Sequence, residues 1–144
     1  MTDTDTLSKL RGVISKLARE LNATATDEGL TPTQASVLGL IAFRGPLGLT
    51  ELAQREGLNP TMLSRVVGRL TELELIQRDS NPDDLRAVRV EATDAGRQLH
   101  ERVKLLRTQA LGACLDQLPD KSARTIVAAL PALEELAQAL RTTR

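Results

Sequence analysis

The stretch from Pro60 to Arg69 has the side chains of a surface that binds nucleic acid. The exposed positions of the helix predicted there carry hydroxyls, guanidiniums and a glycine: Thr61, Ser64, Arg65, Gly68 and Arg69. Guanidiniums bind guanine edges or phosphates, hydroxyls bind either, and glycine lets the backbone come close. The pattern therefore predicts contact with a phosphate-lined groove. The alternative is an ordinary solvated helix face, on which Gly68 only costs about 1 kcal/mol of helix propensity.

The start and the buried side of this helix are both marked in the sequence. Asn59 is typical of an N-cap, and Pro60 suits the first helical position because its missing amide hydrogen is not needed there. Apolar residues then recur with helical spacing and predict one buried stripe, formed by Leu63, Val66, Val67, Leu70 and Leu73. A well-defined helix is therefore expected from Pro60 onward.

A second, shorter helical pattern precedes Gly57. The small Ala53 lies four residues before this glycine, and Leu63 is placed to pack back toward Ala53. Two helices that cross closely through a short glycine turn form a helix-turn-helix, whose second helix enters the major groove of DNA. The candidate groove contacts are Pro60, Thr61, Met62, Ser64 and Arg65, and the candidate phosphate contacts are Arg69 and Arg78.

Two short strands are predicted next, at residues 75–79 and 87–92, with turn-forming residues 80–86 between them. Two helices followed by such a hairpin make a winged helix-turn-helix. Arg86 is predicted to enter a minor groove, where narrow A·T tracts concentrate negative potential. Asp84 is predicted to hold the Arg86 guanidinium in place. The alternative for Asp84 and Arg86 is a surface ion pair worth about 0–1 kcal/mol.

These segments resemble the MarR family of bacterial transcriptional regulators. The resemblance spans nearly the whole chain and rests on residues 30–38, 52–78, 84–86 and 92–97. Asp84 and Arg86 match the family's wing motif, whereas Leu85 stands where the family usually has a basic residue that contacts phosphate. The resemblance implies a homodimer whose terminal helices intertwine. It also implies an effector, in this family often a phenolic or lipophilic anion; the shortage of aromatic residues weakens a stacking pocket, so no ligand residues are assigned.

The two ends of the chain carry apolar stripes with gaps of three and four residues, which are typical of helices packed at shallow angles. The stripes are Leu7, Leu10, Ile14, Leu17 and Leu21, then Ile126, Leu130, Leu133, Ala137 and Leu140. Within one compact domain we predict an N-terminal dimerisation helix (1–30), a winged helix-turn-helix region (31–92) and C-terminal dimerisation helices (93–144). A monomeric bundle that uses the stripes internally is the alternative.

Helix boundaries are expected at several further positions. Thr31, Pro32 and Gln34 have the spacing of a capping box. A long helix is predicted over residues 93–118, with Asp120 as the next N-cap, and Pro131 should interrupt the last helix near Val127. Residues 1–6 should be loose, and residues 43–48 should connect two helices. The fold class is mainly α (α+β).

Composition argues against a strongly basic protein. The 144 residues carry 19 basic and 19 acidic side chains, so the net charge gives no support for nucleic-acid binding. The support is local, because residues 57–71 contain Arg65 and Arg69 and no acid, and Glu72 is expected to lie away from the groove. With one phenylalanine and no tryptophan or tyrosine, the core must be aliphatic.

Catalytic and metal-binding patterns are missing from the sequence. His100 is the only histidine and Cys114 the only cysteine, and no G-x-S-x-G motif occurs, so we expect neither an enzyme nor a cofactor. His100 is expected on a helix surface or at the dimer interface. Cys114 fits a buried hydrophobe better than a redox sensor. No signal peptide or long apolar run is present, so a soluble, cytoplasmic protein without membrane contact is expected.

Together these patterns predict a homodimeric, sequence-specific DNA-binding regulator. It would bind a pseudo-palindromic operator on double-stranded DNA and act as a repressor that a small-molecule or oxidative signal releases. Two alternatives remain open: a winged-helix module that binds protein and not DNA, and a helical protein that binds small molecules.

Overall fold

The computed structural model describes residues 1–81 and 84–143, with the side chains of 1–79 and 88–143. Helices dominate this part of the chain, and three strands complete it. In chain order the elements are α1 (Thr4–Asp27), α2 (Pro32–Arg44), β1 (Leu47–Gly48), α3 (Leu49–Glu56), α4 (Pro60–Glu72), β2 (Ile76–Asn81), β3 (Asp84–Ala92), α5 (Asp94–Gln117), α6 (Asp120–Ala128) and α7 (Leu130–Thr142).

The chain divides into two compact units, Met1–Arg107 and Thr108–Arg144. The first unit contains α1 to α4, all three strands and the first part of α5. The second contains the remainder of α5 together with α6 and α7. The predicted winged helix-turn-helix region, residues 31–92, lies wholly within the first unit.

An aliphatic core holds the first unit together. Its largest fully buried side chains come from α2, α3, α4, β2 and β3: Leu38, Ile41, Leu52, Leu70, Ile76, Val37 and Val90. Burial of each such leucine or isoleucine stabilises the fold by roughly 1.5–3 kcal/mol. No polar or charged residue is buried among those the structure describes. The predicted aliphatic core is therefore confirmed.

The sheet has the strand order β1-β3-β2, and both pairings are antiparallel. Residues 43–48 were expected to be a connector only, but Leu47 and Gly48 form β1 by pairing with Val90 and Arg89. The hairpin strands also run further toward the wing tip than predicted, to Asn81 in β2 and from Asp84 in β3. The sheet thus ties the connector after α2 to the hairpin.

The first turn of α5 lies directly on the junction between α4 and β2. The Thr93 amide donates to the Leu75 carbonyl at 3.0 Å, and the Thr93 hydroxyl donates to the Glu74 carbonyl at 2.7 Å. A Cβ on Gly96 would lie 2.0 Å from the Leu75 carbonyl oxygen, so this close approach requires glycine. Glu74 itself has a left-handed backbone, with φ of 61°.

The starts of α1 and α2 are fixed by side-chain caps. The Thr31 capping box is present in both directions, as predicted: the Gln34 amide donates to the Thr31 hydroxyl, and the Thr31 amide donates to the Gln34 side chain. The expectation of a loose stretch up to Thr6 was wrong, because α1 begins at Thr4 and the Asp3 carboxylate accepts from the Thr6 amide at 2.9 Å. This bond lowers the pKa of Asp3.

Two boundaries in the second unit bear on the predictions. Asp120 was expected to cap α6, but Pro119 occupies the cap position with extended ψ, and Asp120 is the first helical residue. The interruption at Pro131 is confirmed, since α6 ends at Ala128 and Pro131 lies in the first turn of α7. Cys114 was expected to be buried and is exposed in the subunit, because its helix, α5, leaves that side uncovered.

Candidate nucleic-acid interface

A left-handed turn joins the two helices of the helix-turn-helix. Gly57 has φ of 66°, which favours glycine, and the Leu58 amide donates to the Ala53 carbonyl at 3.0 Å. The Asn59 side chain then accepts from the Met62 amide at 2.8 Å and caps α4, with Pro60 following it. The predicted turn and N-cap are confirmed, so the direction in which α4 leaves the domain is fixed by local bonds.

The helix α4 separates an apolar side from a polar one. Leu63, Val66, Val67 and Leu70 are buried as predicted, whereas Leu73 was expected to face inward and is 37% exposed, because it is already the C-cap residue. The predicted contact residues all lie on the exposed side of the helix: Pro60, Thr61, Met62, Ser64, Arg65 and Arg69. The structure therefore presents these candidates to solvent on one preformed helix.

An open cleft of about 700 Å³ in the protein surface runs between α3, α4 and β2. Ser64, Gly68 and Thr71 line it from α4, at helical spacings of four and three residues. Arg78 lines it from β2, where it follows the buried Ile76 on the same sheet face. The structure thus brings together Ser64 and Arg78, which are distant in sequence. Thr71 was not predicted to lie beside Ser64 in this cleft, although its spacing of seven residues from Ser64 places both on one side of α4.

The arginines of α4 differ in their partners. Arg65 is exposed, and no acidic side chain among the described residues pairs with it. Arg69 lies 3.3 Å from Glu72, with both side chains more than half exposed. Glu72 is exposed on α4, and its expected position away from the DNA groove stays a prediction. Arg65 is thus available to an anionic ligand, whereas Arg69 must first exchange its partner.

Two cross-strand pairs brace the stem of the wing. The side-chain amide of Gln77 donates to the Glu91 carboxylate at 2.8 Å, and the Arg89 guanidinium donates to the Asp79 carboxylate at 3.1 Å. In both pairs the two residues lie opposite each other in the β2–β3 register. Neither pair could be predicted from the sequence, because the strand register must be known first. Such pairs contribute roughly 0.2–1 kcal/mol each and oppose slippage of the hairpin.

The predicted wing contact at Asp84 and Arg86 lies outside the described side chains, although the backbone of both residues belongs to β3. Minor-groove contact by Arg86 therefore stays a prediction, as does the support from Asp84.

His100 is half-buried in α5 and packs against α2. A Cβ on Gly39 would lie 3.1 Å from the His100 ring, so the glycine makes room for the imidazole. A cleft of about 270 Å³ beside it is lined partly by Phe43, the single phenylalanine, which is mostly exposed.

Among the described residues no His, Cys, Asp or Glu cluster has the arrangement of a metal site. In the same part of the chain, no helix combines the length and the apolar character that crossing a membrane requires.

Comparison with known proteins gives consistent similarities. Residues 30–88 match the model of the MarR family. The HTH-type transcriptional repressor MdtR of Bacillus subtilis (strain 168) is 28% identical over 112 residues, which cover 78% of this chain and 72% of MdtR.

Solved structures show the same fold over almost the full length. The crystal structure of RV1404 from Mycobacterium tuberculosis aligns with a TM-score of 0.78 and 28% identity, covering 94% of each chain. Wild-type apo MarR from E. coli aligns with a TM-score of 0.74 and 25% identity, covering 92% of this chain and 98% of MarR. The curated relatives are transcriptional regulators and not enzymes. Its winged helix-turn-helix matches the MarR family of DNA-binding transcriptional regulators over residues 30–88.

Proposed function

We propose that the chain is a homodimeric repressor that binds a pseudo-palindromic operator through two copies of α4. The exposed side of α4 carries the proposal, because it presents hydroxyls and guanidiniums with no acidic residue from Pro60 to Thr71. In each subunit Thr61, Met62, Ser64 and Arg65 contact base edges. Arg69 and Arg78 bind phosphates, and the wing places Arg86 in the minor groove with Asp84 beside it.

Dimerisation is supported by apolar side chains that the subunit leaves in water. On α1 the exposed stripe is Leu7, Leu10, Val13, Ile14 and Leu17, with 40–56% of each residue accessible. In the second unit, α7 leaves another stripe exposed, comprising Leu130, Leu133, Leu136 and Leu140. Stripes of this length need a partner surface in water, and a second copy of the chain supplies matching ones.

Repression requires only that the bound dimer occupy its operator, and release requires a change in the distance between its two α4 helices. Each α4 is held on an aliphatic core, so it moves as a rigid body with its domain. A small-molecule or oxidative signal that favours another spacing lowers affinity without unfolding the subunit. The relative MdtR is named a repressor, which agrees with this assignment.

Binding of Arg65 to DNA is the sharpest test of the proposal. Genomic fragments that the protein selects define the operator, and fluorescence anisotropy then measures the affinity of variants. Arg65→Ala should weaken specific binding by about 1–3 kcal/mol, or roughly 5- to 150-fold. Arg55→Ala is the matched control, because Arg55 is an exposed arginine of α3 that pairs with Glu51 at 3.1 Å.

Three outcomes contradict parts of the proposal. Equal affinities for wild type and Arg65→Ala exclude Arg65 as a specificity contact. Failure of the wild type to bind any selected duplex at low salt favours a protein-interaction module instead. A monomer in sedimentation experiments at working concentration excludes the two-fold arrangement.

A further inference from the structure

Met62 is an apolar side chain that α4 leaves in water near its N-terminal end. Within Pro60–Glu72 the other large apolar residues, Leu63, Val66, Val67 and Leu70, are at most 8% exposed, whereas Met62 is 50% exposed. Met62 therefore adds little to the core, and its position has to be explained by what else it contacts.

The position of Met62 is that of a residue which reaches bases. Its amide donates to the Asn59 cap at 2.8 Å, so it belongs to the first turn of α4. Residues in the first turns of a recognition helix contact base edges in the major groove. Helical periodicity puts Met62 on the same side of α4 as Arg65 and Arg69, whereas Ser64 lines the cleft toward α3. Met62 is not among the residues that line this cleft.

The chemistry of Met62 selects one feature of the major groove. Its side chain is unbranched and polarizable, and its thioether is only a weak hydrogen-bond acceptor, so it gains most from an apolar contact. Along the base edges of the major groove the apolar group is the C5-methyl of thymine. Arg65, one turn further along α4, supplies the polar contacts, which leaves the apolar one to Met62.

We propose that Met62 reads the C5-methyl group of a thymine in each half-site of the operator. This inference rests on the proposed function and deepens it, since it assigns one base and one chemical group to one residue. Specificity at that position comes from the methyl group and is independent of the hydrogen bonds that distinguish A·T from G·C.

A uracil scan of the operator tests the assignment, because uracil differs from thymine only by lacking the methyl group. Each thymine is replaced in turn, and the Kd of the full-length protein is measured by anisotropy. At one position in each half-site the Kd should rise about fourfold, the factor that matches one CH₂-sized apolar contact. With Met62→Gln, of similar length but polar, the uracil effect there should fall below about 1.5-fold.

Three further variants make the result specific. Leu73→Gln changes a partly exposed leucine at the other end of the same helix, and it should keep the full uracil effect. Met62→Leu keeps an apolar side chain and should also keep the effect. Met62→Ala removes the contact and should lose the effect, which preserves the test if Met62→Gln folds poorly.

The outcomes separate this inference from the proposed function. Specific binding in which no uracil weakens affinity overturns the Met62 assignment alone. The assignment is also overturned when Met62→Gln and wild type respond equally to uracil at every position. Absence of specific binding by the wild type overturns both proposals together.

Discussion

Replacing Gly96 by alanine should destabilise the first unit strongly, because the new methyl group meets backbone. The Cβ would lie 2.0 Å from the Leu75 oxygen and 2.9 Å from its carbonyl carbon, where real Cβ contacts stay beyond 3.0 Å. No rotamer change can relieve this overlap. The start of α5 must move by about 1 Å, which strains the bond from Thr93 to Leu75 and the packing on Leu38. We expect a loss of about 2–4 kcal/mol from overpacking and the weakened hydrogen bond.

Urea unfolding followed by far-ultraviolet circular dichroism measures this loss, at one fixed protomer concentration because dimerisation adds to stability. Gly68→Ala is the matched control. Apart from the adjoining backbone of α4, no atom lies within 4 Å of the Cβ position of Gly68, so alanine should stabilise the fold by about 0.5–1 kcal/mol. The two changes should therefore shift the unfolding midpoint in opposite directions. An unchanged midpoint and slope for Gly96→Ala would refute the argument from close backbone approach.

Three further perturbations test the charge pairs and the strained turn. Glu72→Gln should release Arg69 from its ion pair and tighten DNA binding about two- to fivefold at low salt. Arg69→Ala should reduce the slope of log K against log salt concentration by about 0.9. Identical slopes for wild type and Arg69→Ala in a salt titration contradict a phosphate contact by Arg69. Glu74→Gly relieves the left-handed backbone of a non-glycine residue. After the cost of glycine's backbone entropy is subtracted, it should stabilise the fold by about 0.5–1 kcal/mol and raise the Tm. A lower Tm shows that the φ of 61° carries little strain. A double-mutant cycle of Asp79→Asn and Arg89→Gln should give a coupling free energy of about 0.5–1 kcal/mol in urea unfolding. A coupling free energy of zero means that the 3.1 Å contact adds no stability.

The features that could be predicted from the sequence depend on bonds between residues three or four apart. The caps formed by Asn59 and Thr31 lie in the same short segment as the amides they bind, so residue type and spacing suffice. The buried stripe of α4 follows from helical periodicity for the same reason. The helix-turn-helix part of the candidate site could therefore be predicted from residue types and their spacing.

The features that could not be predicted depend on partners far along the chain. The two-residue strand at Leu47 exists only because β3 lies beside it, and two residues show no periodicity. The pairing of Asp79 with Arg89 needs the register of the hairpin. Cys114 was misjudged because its apolar neighbours on α5 suggested burial, whereas burial depends on what covers that side of the helix.

The helix α4 is complete in the free subunit, with its cap, its first-turn proline and its buried stripe already in place. Association with DNA therefore orders few backbone torsions, and the entropy lost by the protein comes mainly from long side chains such as Met62, Arg65 and Arg69. Calorimetry should then show a small heat-capacity change, set by dehydration of the contact surface and without the larger signature of coupled folding. Encounter with the operator should likewise be fast, because no helix has to form before the bases are read.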